Sequence, residues 1–179
     1  MKVVVFLANG FEECEALIVV DILRRAGLET ILASVSGNMN VESSRHIVIK
    51  ADTLAEQVDY CDVELLFLPG GRLGTENLLK SELVLKKSVE FAKTKMIAAI
   101  CAAPSLLAKL GLLEGKKATC HPDYEREMQG AILVHEKVVV EDNIVTGQGL
   151  GASFELAFRL VELKAGRNKV QQIKESICY

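Results

Sequence analysis

The sequence predicts an α/β fold: a doubly wound, mainly parallel sheet with helices packed on it. Apolar runs of about five or six residues, the length of a buried strand, recur along the chain. Helix-length segments with helical periodicity separate them, the alternation that builds parallel βαβ units. The chain has 179 residues and shows no internal repeat, low-complexity tract or linker, so one domain with a full-sized core is expected over residues 1–179.

The elements follow in order. Lys2 to Leu7 reads as a buried strand and Glu13 to Ala26 as a helix stopped by Gly27. Glu29 to Ser34 is a second strand, Ile47 to Lys50 a short one, and Val63 to Leu68 another that ends at Pro69-Gly70-Gly71. Leu83 to Ala92 is a helix, followed by the Met96–Ile100 strand and by a helix opening near Cys101 that Gly111 ends. Lys117 to Thr119 is a short strand, and Asp123 to Gln129 a charged surface loop or short helix. Val138 to Val140 and Ile144 to Thr146 form a hairpin, and Ala152 to Lys164 a helix closed by Gly166.

Composition narrows the function. Half the residues are hydrophobic and a quarter charged, which is a soluble globular balance. A net charge of -3 gives no electrostatic reason to expect nucleic acid or an anionic membrane as partner. The apolar start turns polar at Asn9, too soon for a membrane span, and no signal peptide is read there. Five cysteines, widely spaced and without a CxxC pair, argue against a disulfide framework and a zinc ribbon. A reducing, cytoplasmic setting is expected, with no metal or organic cofactor.

In doubly wound sheets ligands sit beyond the carboxyl ends of the strands, so the strand-to-helix corners carry the chemistry. At Ile100-Cys101-Ala102 a strand passes into a helix through a sharp turn. Free N–H groups of that helix would favour a thiolate, the nucleophilic form of cysteine. The same segment also reads as a small buried cysteine closing a core strand. Glu12 and Glu13 suit the first turn of a helix, where the dipole favours carboxylates. Glu15 lies among Cys14, Ala16 and Leu17, on a helix too apolar to be solvated all round. A carboxyl held there would have a raised pKa and could donate to a thiolate or a substrate oxygen.

Gly70-Gly71 leaves backbone N–H groups bare beside a ligand, as half of an oxyanion hole or as an ordinary turn. Gly147-x-Gly149-x-Gly151 lacks nucleotide-binding spacing and reads as tight packing near the site. His121, at another corner, is the candidate base, whereas His46 and His135 have no chemical neighbour in sequence. The first helix is apolar around most of its circumference, which favours an interface and a homodimer. Asp21 stands three and four residues from Arg24 and Arg25, the spacing of a helix-surface ion pair.

Taken together, these segments resemble the DJ-one/ThiJ/PfpI superfamily, in its Parkinsonism-associated protein deglycase and ThiJ-like branch. The matching pieces are Glu12-Glu13-Cys14-Glu15, Val20-Asp21-Ile22-Leu23-Arg24-Arg25-Ala26-Gly27, Ser44-Arg45, Leu68-Pro69-Gly70-Gly71, Ala98-Ala99-Ile100-Cys101-Ala102-Ala103-Pro104, Thr119-Cys120-His121-Pro122 and Gly151-Ala152-Ser153-Phe154-Glu155. The resemblance implies a flavodoxin-like, class I glutamine amidotransferase-like sandwich that forms a homodimer. It places the nucleophile at Cys101, a protonated partner at Glu15, a nearby histidine at His121, and oxyanion-hole N–H groups at Gly71 and Ala102. Arg25 and Arg45 match positions lining the dimer interface near the pocket, which displaces the ion-pair reading of Arg25. Family members are reported as glutathione-independent glyoxalases, deglycases and oxidation-sensing chaperones.

The resemblance therefore implies a cofactor-free enzyme acting on small 2-oxoaldehydes, or a stress sensor in which Cys101 carries a stabilised sulfinate. Ala102 stands where the protease-like branch has histidine, which counts against peptidase activity. Ala103 replaces a usual glycine, so a slightly narrower pocket is expected, and Cys14 beside Glu15 is expected to touch pocket redox chemistry or the dimer. A glutamine amidotransferase needs a late His-x-Glu pair, which neither His121-Pro122-Asp123 nor His135-Glu136-Lys137 supplies.

Overall fold

The computed structural model describes residues 1–179. In chain order the strands are β1 (Lys2–Leu7), β2 (Glu29–Ser34), β3 (Asn40–Glu42), β4 (Val48–Lys50), β5 (Thr53–Leu54), β6 (Val63–Leu68), β7 (Met96–Ile100), β8 (Lys117–Ala118), β9 (Ile132–Leu133), β10 (Val138–Glu141) and β11 (Ile144–Gly147). The helices are α1 (Glu13–Arg25), α2 (Arg72–Leu79), α3 (Glu82–Thr94), α4 (Pro104–Lys109), α5 (Ser153–Ala165) and α6 (Arg167–Ser176). Seven strands form the central sheet in the order β10-β11-β7-β6-β1-β2-β5. All its pairings are parallel except the β10–β11 hairpin at one edge. This is the expected flavodoxin-like α/β sandwich.

Alternation along the central strands sorts the core into two layers. Val3, Val5, Leu7, Phe67, Ala98 and Ile100 face α1, α5 and α6. Val4, Phe6, Leu66, Leu68, Ile97 and Ala99 face α2, α3 and α4. Because β1, β6 and β7 run parallel and adjacent, their carboxyl ends at Leu7, Leu68 and Ile100 open on one edge of the sheet. The corners picked out in the sequence therefore meet in space.

Several expectations need correcting. The apolar circumference of α1 is mostly used within the chain: Ala16, Val19, Val20, Ile22 and Leu23 are buried in the layer they share with α5. Only Leu17 and Ile18 remain half-buried on that helix, so its composition alone does not call for a second subunit. The helix after Cys101 begins at Pro104, leaving Cys101 to Ala103 in the turn itself. Helices α2 and α6 escaped the sequence reading because short helices with few buried residues give little periodic signal.

Candidate active site

The β7–α4 corner aims Cys101 outward. Its backbone is left-handed, φ 64°, a conformation that costs a side chain about 1–2 kcal/mol. Three backbone bonds hold it there: Cys101 N–H donates to Gly147 O at 2.9 Å, His121 N–H donates to Cys101 O at 2.9 Å, and Ala103 N–H donates to Ile100 O at 3.0 Å. The sulfur lies at the floor of the largest cavity, about 620 Å³, in which Gly71, Ala102, Arg45 and His121 also take part. A second lobe, reaching Glu15 and Gly149, shares Glu12, Arg45, Cys101 and His121 with the first.

The β1–α1 corner delivers the carboxyl. Glu12 caps α1, accepting the Glu15 N–H at 2.6 Å, and one turn of helix turns the Glu15 side chain inward. Glu15 is 1% exposed, and Gly70 N–H donates to its Oε2 at 2.9 Å. Burial, opposed by its contacts with Cys101 and Gly70, pushes the Glu15 pKa up to about 7. Burial first, then the Glu15 charge and hydrogen bond, push the Cys101 thiol up to about 12, with the Gly71 and Ala102 N–H groups pulling the other way. Desolvation thus outweighs the N–H groups while Glu15 is charged. Protonating Glu15 removes that charge, so a thiolate forms most readily with the proton on the carboxyl.

Gly70 is the hinge of this arrangement. A Cβ there would stand 2.5 Å from Glu15 Oε2 and 2.6 Å from Cys101 Cβ. Gly71, at φ 90°, would drive a Cβ to 2.4 Å from Gly10 O. Both glycines let the β6–α2 turn lie against the other two corners, so that donors from two different turns face one sulfur.

His121 joins the cavity but makes no side-chain bond to Cys101. Its Nδ1 accepts from Asp123 N–H at 3.3 Å and stands 3.7 Å from the Asp123 carboxylate. Arg45 lines both lobes and bonds only a backbone carbonyl, that of Ser44. Arg25 does not reach the cavity: it pairs with Asp21 at 2.6 Å, as its spacing predicts, while Arg24 turns to Thr30 O and Asp52. Cys14 is exposed on the outer side of α1 and lines neither lobe. Ala103 is buried in the α2–α4 layer and does not narrow the pocket. Gly147 packs on Ile100 and Gly149 lies against His121 as expected, whereas Gly151 is exposed with nothing packed on it.

Sequence reasoning missed two cavity residues. Arg72 follows Gly71 directly, and reading one residue further along that corner would have found it. Tyr124 sits in a 3₁₀ helix (Pro122–Glu127), the short-helix alternative read for that stretch, and lines one side of the cavity. His46, expected to be alone, pairs with Glu42 at 2.5 Å on the cavity rim. No three His, Cys, Asp or Glu side chains converge as a metal-ligand set.

Residues 1–163 match the DJ-1/PfpI family. The chain belongs to the DJ-1/PfpI family. It is 38% identical to Drosophila melanogaster protein dj-1beta over 177 residues, 97% of this chain and 94% of that one. The crystal structure of Drosophila DJ-1beta superposes with a TM-score of 0.95 at 35% identity, covering 99% of this chain and 97% of the other. Oxidized Toxoplasma gondii DJ-1 superposes with a TM-score of 0.94 at 33% identity, over 99% and 98% of the two chains. A Caenorhabditis elegans glutathione-independent glyoxalase, DJR-1.2, is 28% identical over 172 residues, 93% of this chain and 90% of that one. The chain spans less than half the length of two Arabidopsis thaliana DJ-1 homologues that it also matches. No helix is long and apolar enough to cross a membrane.

Proposed function

We propose that this DJ-1/PfpI protein is a cofactor-free enzyme that converts small 2-oxoaldehydes, such as methylglyoxal, to 2-hydroxy acids. One observation carries the reading: the buried Glu15 carboxyl and the Cys101 side chain meet at Gly70, and the sulfur faces the N–H groups of Gly71 and Ala102. The thiol proton passes to Glu15, and the thiolate attacks the aldehyde carbon to give a hemithioacetal. Gly71 and Ala102 N–H groups hold the developing oxyanion. Glu15 gives the thiol proton to that oxyanion, completing the hemithioacetal, and as a carboxylate it then removes the proton on the former aldehyde carbon and returns it to the neighbouring carbon. The first carbon is oxidised to a thioester and the second reduced to an alcohol, so no outside oxidant is needed. Water hydrolyses the thioester, releasing the hydroxy acid and the thiol. A carboxyl with a pKa of about 7 suits a group that must both take and give a proton near neutrality. His121, in the same cavity, assists the water step.

Purified protein incubated with methylglyoxal and no glutathione is expected to form lactate, and Cys101→Ser and Glu15→Ala to form none. A reduced, folded wild type that makes no lactate overturns the reading. That result would favour a second one, in which Cys101 is an oxidation sensor. The half-exposed sulfur beside two N–H donors and a protonatable carboxyl suits a sulfinate equally well, and one relative was solved in oxidized form.

A further inference from the structure

Seven arginines occur in the chain, and four of them (Arg24, Arg25, Arg159 and Arg167) are ion-paired. Arg72 is not, and it lines the Cys101 cavity. It is the first residue of α2, directly after the Gly71 whose N–H faces the sulfur. Its guanidinium is in no ion pair and meets the Tyr124 hydroxyl, whose pKa burial raises and Arg72 draws back down. Most of the five N–H donors of its fixed fork therefore remain for a ligand.

The cavity's acids do not offer themselves as the missing partner. Glu42 is taken by His46 at 2.5 Å, Asp123 stands beside His121, and Glu12 is occupied as the cap of α1. Lys137, the cation of the other lobe, is already paired with Glu155. Arg45, bonded only to the Ser44 carbonyl, is a second unpaired guanidinium in the cavity, but Arg72 is the one with a second donor beside it, the phenol of Tyr124.

We propose that Arg72 and Tyr124 form a carboxylate-binding edge, and that the preferred substrate is a 2-oxoaldehyde whose far end carries a carboxylate. Seated with its aldehyde at Cys101, such a molecule lays its tail toward α2, where the guanidinium fork takes both oxygens. This rests on the aldehyde-consuming function proposed above and specifies its substrate. The chemistry stays balanced: 4,5-dioxopentanoate plus water gives 2-hydroxyglutarate, the aldehyde carbon being oxidised and the ketone carbon reduced.

The test compares kcat/KM for 4,5-dioxopentanoate and for its neutral methyl ester, in wild type, Arg72→Gln, Arg72→Lys and Tyr124→Phe. The acid-to-ester ratio cancels any general loss of activity. Wild type is expected to favour the acid at least tenfold, and Arg72→Gln to bring the ratio near one through KM. Arg72→Lys should keep part of the preference and Tyr124→Phe most of it. Half-molar salt should shrink the wild-type ratio, because the edge is open to solvent. A wild type without preference, or a ratio unchanged in Arg72→Gln, overturns the proposal. If no aldehyde is consumed at all, the function fails but the edge is still tested: 4-oxopentanoate, which has no aldehyde, should slow alkylation of Cys101 in wild type and not in Arg72→Gln. Equal protection of both proteins would sink the edge by itself.

Discussion

Two corners feed one cavity and are built in opposite ways. At the β1–α1 corner the left-handed residue is a glycine, Gly10, a side chain caps the helix, and α1 runs for 13 residues. At the β7–α4 corner the left-handed residue is Cys101 itself, no side chain caps the helix, and α4 has six residues. The first corner is relaxed and places its carboxyl by ordinary capping. The second carries strain and depends on bonds from Gly147 and His121 to hold it. Carboxyl and thiol thus come from different mechanical sources, and Gly70 is where the two touch.

The largest effect is expected from Gly70→Ala, which abolishes that touching point. Its Cβ would collide with both Glu15 and Cys101, so activity should fall on the order of 100-fold. Overpacking of this kind should also cost about 2 kcal/mol in a urea melt. Full activity in Gly70→Ala would mean that the two corners need not meet.

Next in size is a pH effect at the relaxed corner. Glu15 has its pKa raised from 4.5 to about 7, so the folded protein holds a proton there that the unfolded chain has lost. The stabilisation is complete below pH 4.5 and disappears as pH rises through about 7. Glu15→Gln, which still accepts from Gly70, should therefore gain on wild type between pH 4.5 and 7. The gain should level off on the order of 3 kcal/mol above that. Parallel stability curves for the two proteins would show that the carboxyl carries no burial cost.

The smallest effect reports on the strained corner. Cys101→Gly should be more stable than Cys101→Ala by about 1 kcal/mol, because glycine adopts φ 64° freely. The reverse order would show that the elbow is not under strain.

Much of this was legible in the chain. The strands, the long helices and the corners follow from apolar periodicity and from glycine and proline punctuation, which are local signals. Glu15 stood out because three carboxylates crowd a helix start that needs fewer, and it alone sits on an apolar stretch. What stayed hidden depends on distance in space. The state of Cys101 could not be read from the helix that follows, because a carboxyl 86 residues away in sequence dominates it together with burial. Nor could the burial of α1, because α5 near the other end of the chain covers it. Arg72 and Tyr124 are unremarkable in sequence and acquire meaning only when a 3₁₀ turn folds over the mouth of the cavity.

The two N–H groups facing the sulfur belong to turns that end β6 and β7, neighbours at the middle of the sheet whose register pairs Leu68 with Ala99. Their spacing is therefore set by how those two strands lie side by side, and no flexible loop adjusts it. Central strands open to solvent exchange only when the whole molecule unfolds. The floor of the cavity accordingly has no private softness, and it stays assembled for as long as the protein stays folded.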